Sequence, residues 1–228
     1  VGTSAAMRIT TDRPILADYP STWCYVGVEN KWITGSAIAG AGNCVDWIGK
    51  KILGFDGNIT LEELDKGAQS AFQKGDAPIF FPFLAGERCP GWDDTKSATI
   101  YELKINNDIY DLYYSILEGV LFNLKQCYEI TVPIVGKPPK FISVSGGIKK
   151  STFWLSMAAS IFGLPVYEDE LLHSSLLGAA YMGLKTVGEI ASVRDIKPQI
   201  KKSYNPDLSK KDFFNARFDK YLKYYSQQ

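Results

Sequence analysis

The segment from Lys140 to Leu184 constrains the fold most, because it reads as strand, helix, strand and helix in unbroken succession. "KFISVS" is a short β-rich run of the kind expected of a central strand, and Gly146-Gly147 ends it. Helical spacing predicts a helix over 152–162, "PVYE" predicts a second strand, and a further helix is predicted over 174–186. Such β-α-β-α alternation belongs to layered α/β domains. The glycine pair itself fits neither common phosphate loop. Ile148 separates Gly147 from Lys149, which breaks the G-x-x-x-x-G-K-[ST] pattern, and the adjacent glycines break G-x-G-x-x-G.

Upstream, the pattern is different. Val1 to Thr11 is β-rich around a Gly-Thr-Ser turn, and "TWCYVGV" and "KWITGSA" flank Glu29-Asn30, a tight turn between antiparallel strands. Residues 35–52 are predicted to form one helix of small residues, whose glycines would admit a close approach by backbone or ligand. Thr60 and Glu63 form a capping box, with Ile59 and Leu64 as its hydrophobic staple, for a helix from Leu61 to about Lys74. Asp108 caps the clearest helix, whose stripe Ile109, Leu112, Tyr113, Ile116, Leu117 and Val120 continues through Leu121 and Leu124. Lys201 to Asn205 is expected to be a loop, and Phe214, Phe218, Tyr221, Leu222 and Tyr225 a docked final helix. Three leading strands followed by α and β alternation is similar to a ribonuclease H-like, actin-like ATPase domain, a mixed sheet flanked by helices.

Composition narrows the function. Lysines plus arginines equal aspartates plus glutamates, at 25 each, so no basic field points to nucleic acid or an anionic membrane. No apolar run is long enough to span a bilayer. The four cysteines are far apart and only His173 could join them, so a zinc site is not expected; they read as reduced thiols of a cytoplasmic protein. One histidine and no G-x-S-x-G leave little material for a Ser-His-Asp hydrolase. The chain opens at Val1, inside a strand-like pattern, and reads as part of something longer.

Four blocks carry a resemblance: "VGTSAAMRITTDRP", "CYVGVENKWITGSAIAGAGNCVDWI", "FPFLAGERCPGWD" and "SVSGGIKKSTFWLSMAASIFGLPVYEDELLHSSLLGAAYMGL". In this order the chain resembles the C-terminal, nucleotide-binding domain of the FGGY carbohydrate kinases, in the branch that includes gluconokinase and xylulokinase. The resemblance implies that Gly146 and Gly147 let the main chain approach ATP, with unpaired N–H groups at the start of the following helix and Ser151 near the adenine edge. Taken as residues alone, the same stretch also reads as a strand-to-helix turn with Ser151 as its N-cap. The resemblance further implies that Gly2, Thr3 and Ser4 hold the terminal phosphates, although Ala5 stands where the family usually has Gly. Gly42 and Asp46 would lie beside the nucleotide.

The resemblance places no catalytic residue and no metal ligand in this chain. The base would lie upstream of Val1, and the Mg²⁺ carboxylate and most of the sugar pocket in an N-terminal domain, the chain's partner. ATP with Mg²⁺ would phosphorylate a sugar, polyol or sugar acid, gluconate first and xylulose or another ketose next. A non-catalytic actin-like ATP-binding or regulatory module is the reading from another class. Glu87 and Arg88 are expected to pair, Lys149 and Lys150 to be solvated, and His173 to cap a helix or lie at the surface. The surface near Val1 and "IFFPFLAGERCPGW" is expected to be apolar, favouring a partner domain or a homodimer.

Overall fold

In the computed structural model, residues 1–52, 60–170, 174–197 and 199–228 are described. β1 (Ala5–Thr11), β2 (Trp23–Val26) and β3 (Trp32–Ile38) form an antiparallel sheet in the order β1-β3-β2. Glu29 and Asn30 sit at φ 56 and 58, the left-handed geometry that a tight hairpin requires.

The helix expected over 35–52 is corrected here. Its first residues belong to β3, and α1 is only Gly42–Trp47, continued by a wide π turn over Ile48–Ile52. The small residues of β3 answer to close neighbours on both sides of a central strand. A Cβ on Gly35 would strike the Met7 carbonyl and the Trp23 ring. The Ser36 hydroxyl meets Thr131 at 3.2 Å and donates to the Ser21 carbonyl at 3.1 Å.

α2 (Leu61–Lys74) starts at the expected capping box: Glu63 N–H donates to Thr60 Oγ1 at 3.2 Å, and Thr60 N–H to Glu63 Oε2 at 2.7 Å. Ile59 of the staple, like His173, lies outside the described residues. Two short strands follow that the sequence hid, β4 (Ile79–Phe81) and β5 (Thr99–Tyr101), paired antiparallel. Their loop is not an apolar surface. Phe80, Phe81 and Phe83 are core residues, which corrects the patch expected there.

α3 (Ile109–Val135) is the axis of the core. Asp108 accepts from the backbone N–H of Tyr110 and Asp111, and Asp111 reciprocates by accepting from Asp108 N–H at 2.8 Å. The predicted stripe is buried, but so is most of the opposite face between Tyr113 and Leu124, because β3, β4, α2, α4 and α6 all pack around this helix.

The C-terminal half is β6 (Ile142–Val144), α4 (Thr152–Phe162), β7 (Val166–Asp169), α5 (Ser174–Thr186), β8 (Ile200–Tyr204) and α6 (Lys211–Tyr225). β6 and β7 run parallel, and β8 closes the edge antiparallel to β7. β8 replaces the loop expected over 201–205. Its exposed lysines are polar edge chemistry rather than loop chemistry. Just past the end of β6 the Val1 nitrogen donates to the Ser145 carbonyl at 2.7 Å, which ties the segment before β1 to the segment after β6.

One buried ion pair pins α6 across the core. Arg217 donates from Nε to Glu118 Oε1 at 2.7 Å and from Nη2 to Oε2 at 2.6 Å. Its remaining N–H groups reach the Ala77 and Pro78 carbonyls, and Tyr114 donates to Glu118 at 2.8 Å.

Candidate functional site

The start of the chain is the hub of the site. It runs along the end of β6, so Val1 and Gly2 lie between the Gly146-Gly147 turn and the start of α1. Gly146 adopts φ +85 and has no room for a side chain, because a Cβ would strike the Val1 carbonyl. Gly42 is equally confined: a Cβ would collide with the Gly2 carbonyl, and Gly42 N–H donates to that oxygen at 2.9 Å. Asn43 N–H donates to the Thr3 carbonyl at 3.1 Å. Three segments, 1–4, 40–43 and 145–147, are therefore brought to one place by direct main-chain contact.

The two glycines of the pair differ. Gly147 has an ordinary φ, and a Cβ built there meets only the Val1 carbonyl at 3.7 Å. It faces open space. Gly2, Thr3, Ser4, Gly146 and Gly147 are all exposed, so they form an open surface rather than the lining of a closed cavity. Ala5 begins β1 opposite Ile38 without a positive φ, so the missing glycine asks for no left-handed geometry there.

α4 begins at Thr152, as its spacing predicts, and a 3₁₀ turn over Gly147–Lys150 stands between the glycines and the helix. Its first turn is already satisfied. Ser151 is buried and accepts from Trp154 N–H at 3.0 Å while its hydroxyl donates to both oxygens of Asp65, at 2.9 and 2.7 Å. Ser151 is thus the N-cap of the alternative reading. Asp65 also accepts from Phe153 N–H and, at 3.4 Å, from the Tyr113 hydroxyl; burial raises its pKa, against the lowering effect of these bonds.

Asp46 is exposed on the second turn of α1 and pairs with Lys50 at 3.3 Å. Lys149 reaches Asp169, at the end of β7, at 2.8 Å and is largely covered, contrary to the solvated side chain expected; Lys150 is exposed. The expected Glu87–Arg88 pair is also corrected. Glu87 is buried and accepts from Lys96 at 2.8 Å and from the Tyr225 hydroxyl at 2.7 Å, whereas Arg88 lies over the Trp92 ring at 5.6 Å.

Asn43 and Asp65 are the residues that sequence reasoning missed. Asn43 donates to the Ala39 carbonyl and accepts from Ala41 N–H, fixing the turn that delivers Gly42. Asn43 could have been suspected as a turn residue directly after Gly42. Nothing in the sequence marks Asp65, which meets Ser151 from a helix far upstream. Among the described residues, no three His, Cys, Asp or Glu side chains converge to hold a metal ion. None of the described helices is long and apolar enough to cross a membrane.

Residues 1–187 match the model of the C-terminal domain of the FGGY family of carbohydrate kinases. A gluconokinase of Bacillus licheniformis is 31% identical over 202 residues, which are 84% of this chain and 39% of that protein. The crystal structure of a gluconate kinase from Lactobacillus acidophilus superposes with a TM-score of 0.88 at 26% identity, covering 100% of this chain and 46% of the other. A ligand-bound xylulose kinase from the same species gives the same TM-score and the same coverage at 25% identity. The chain thus spans less than half the length of the relatives that it matches.

Proposed function

Because this chain belongs to the FGGY family of carbohydrate kinases, as its C-terminal domain, we propose that it is the ATP-binding half of an enzyme that transfers the terminal phosphoryl group of ATP to a hydroxyl of a sugar acid, ketose or polyol. The observation that carries this reading is the convergence of Gly2, Gly42 and Gly146 by main-chain contact, with Gly147 left open beside them. Glycines confined in this way leave a surface made of backbone, which a phosphate or ribose can approach as a side-chain surface would not permit.

In this reading Thr3 and Ser4 offer hydroxyls to the terminal phosphates, and Gly146 and Gly147 pass along the nucleotide. Ser151, buried and bonded to Asp65, fixes the start of α4 behind the turn rather than meeting the base, and Asp46 stands within reach of a water. Mg²⁺ would arrive with the nucleotide and neutralise its phosphates, its carboxylate partner coming from the N-terminal half with the base that accepts the sugar proton. Closure of the two halves excludes water from the transfer. Gluconate is the first substrate to test, supported by the 31% identity to a gluconokinase, and xylulose is the second, supported by the equal fold similarity to a xylulose kinase. A cytoplasmic setting fits a substrate pair of ATP and a free sugar.

The test is a coupled ADP-release assay of the full-length kinase with gluconate, xylulose and glycerol, beside calorimetric ATP titration. Turnover with one of these substrates is expected. ATP binding without phosphorylation of any sugar would favour the actin-like regulatory module, and no ATP binding at all would overturn both readings.

A further inference from the structure

A concave site lies far from the glycine turns. It is an open-mouthed cavity of about 490 Å³ between the β1–β2 connection, the loop joining β4 to β5, the later turns of α3 and the end of α6. Its size falls in the range of small-ligand sites, roughly 300–1,000 Å³. Gln126 and Glu129 of α3 line it. Gln126 stands about 20 Å further along α3 than Tyr113, the residue whose hydroxyl meets Asp65 beside Ser151. The cavity is therefore at the other end of α3 from the proposed nucleotide site.

The walls are mainly apolar. Pro20, Pro90, Ile130 and Leu222 form them, with the half-exposed ring of Tyr19 at the mouth. The side made by Gly91 and Tyr225 is held in place from behind. Tyr225 donates to Glu87 Oε1 at 2.7 Å, Lys96 donates to Oε2 at 2.8 Å, and Gly91 lies so close to this buried cluster that a Cβ would strike it. This wall is formed before any ligand arrives.

Two polar groups of the lining are left without hydrogen bonds. Gln126 is only 7% exposed and its Oε1 accepts from Asn123 at 3.5 Å, but its amide nitrogen has no partner among the described residues. A covered donor without an acceptor is destabilising and calls for an explanation. Glu129 is 4.0 Å from Lys125, beyond hydrogen-bond distance, and its carboxylate accepts from no other described residue. A free donor and a free acceptor thus stand one helical turn apart on α3.

This pair sorts ligands by charge. A cation answers Glu129 but brings no acceptor for the Gln126 amide. An anion answers Gln126 but is opposed by Glu129. Hydroxyl groups both donate and accept, so two neighbouring hydroxyls satisfy both side chains, while the C–H faces of the same molecule pack on the proline and tyrosine rings. We propose that this cavity binds a neutral polyhydroxy molecule, a sugar or polyol, at a site separate from that of phosphoryl transfer. Gln126 donates to one hydroxyl and Glu129 accepts from the next. Every lining residue belongs to this chain, so the proposal does not depend on the kinase reading.

NMR titration of the full-length protein with glucose, xylitol, gluconate and methylguanidinium, repeated on Gln126→Leu and Glu129→Leu, tests it. Glucose or xylitol should bind at a site that each variant weakens at least about tenfold. Gln126→Leu removes an unpartnered amide and should melt no lower than the wild type. Should it fail to fold, Glu129→Leu, on the half-exposed side of the cavity, decides alone. Neutral-sugar binding that is equal in the wild type and the variants would overturn the proposal. So would variant-sensitive binding that is tighter for gluconate or methylguanidinium than for the neutral pair. Loss of phosphoryl transfer in both folded variants would show that the cavity is not separate, and would overturn it as well. A full-length protein that phosphorylates no sugar, yet binds glucose or xylitol through Gln126 and Glu129, removes the kinase reading and leaves this site standing.

Discussion

At the scale of single residues, Gly146 and Gly147 separate structure from function. Gly146→Ala places a Cβ on a left-handed backbone and against the Val1 carbonyl, so it should cost about 1–3 kcal/mol of stability, read from denaturant midpoints. Gly147→Val meets neither obstacle. It should fold normally and yet weaken ATP binding in the full-length kinase by roughly 2 kcal/mol, about thirtyfold by calorimetry. Normal ATP affinity with an early melt in Gly147→Val would reduce the pair to a turn. The glycine pair was legible in the sequence, but which member is strained was not, because that depends on where Val1 passes. Asp65 was illegible for a related reason: its bond to Ser151 joins residues 86 apart. Glu29 gives the pH test. Its hydrogen bonds from Lys185 first, then Ser192, lower its pKa from 4.5 to about 2. A depressed carboxylate contributes stability above its unfolded pKa and loses it as pH falls through the folded one. The melting deficit of Glu29→Gln should therefore be full near neutrality and shrink between pH 4.5 and about 2. A deficit that does not change with pH would mean that the carboxylate charge contributes nothing at the hairpin.

At the scale of elements, what the sequence revealed divides by how local the determinants are. α2 and α3 begin at capping boxes written within four residues, and the 3.6-residue stripe of α3 is a property of the helix alone. α4 and α5 were read to the residue. β4, β5 and β8 were missed because three- to five-residue strands take their identity from partners elsewhere in the chain. The helix expected over 35–52 failed because small residues record a close neighbour without saying whether it packs on a helix or a strand. The Glu118–Arg217 pair is the energetic counterpart of this nonlocality, since it joins α3 to α6 inside the core. Arg217→Met would strand a buried carboxylate and should cost about 3–5 kcal/mol. The double replacement Glu118→Leu with Arg217→Met removes both charges and should recover most of that loss. If the double variant is no more stable than the single one in urea titrations, the pair matters through its bonds to the Ala77 and Pro78 carbonyls and not through a stranded charge.

At the scale of the whole molecule, the proposed nucleotide site is built from one side only. Its floor is backbone from segments 1–4, 40–43 and 145–147, and the described residues bring no cluster of acidic groups to it that could take a metal ion. In the proposed reading a nucleotide there would be held by main-chain contacts on one face while its terminal phosphates remain in water. In the same reading the base that takes the sugar proton and the surface that excludes water belong to the N-terminal half. The expectation is an asymmetric result: the 228-residue chain binds Mg²⁺–ATP at least about tenfold more weakly than the full-length kinase and transfers no phosphoryl group to gluconate or xylulose. Adding the separately produced N-terminal half should restore turnover in proportion to the complex formed, because the missing groups would then face the site at high effective concentration. Calorimetry on each half and on the mixture, followed by a coupled ADP assay, measures both quantities. Sugar phosphorylation by the shorter chain alone, at a rate comparable to the full-length kinase, would show that the base and the metal site lie within these residues after all.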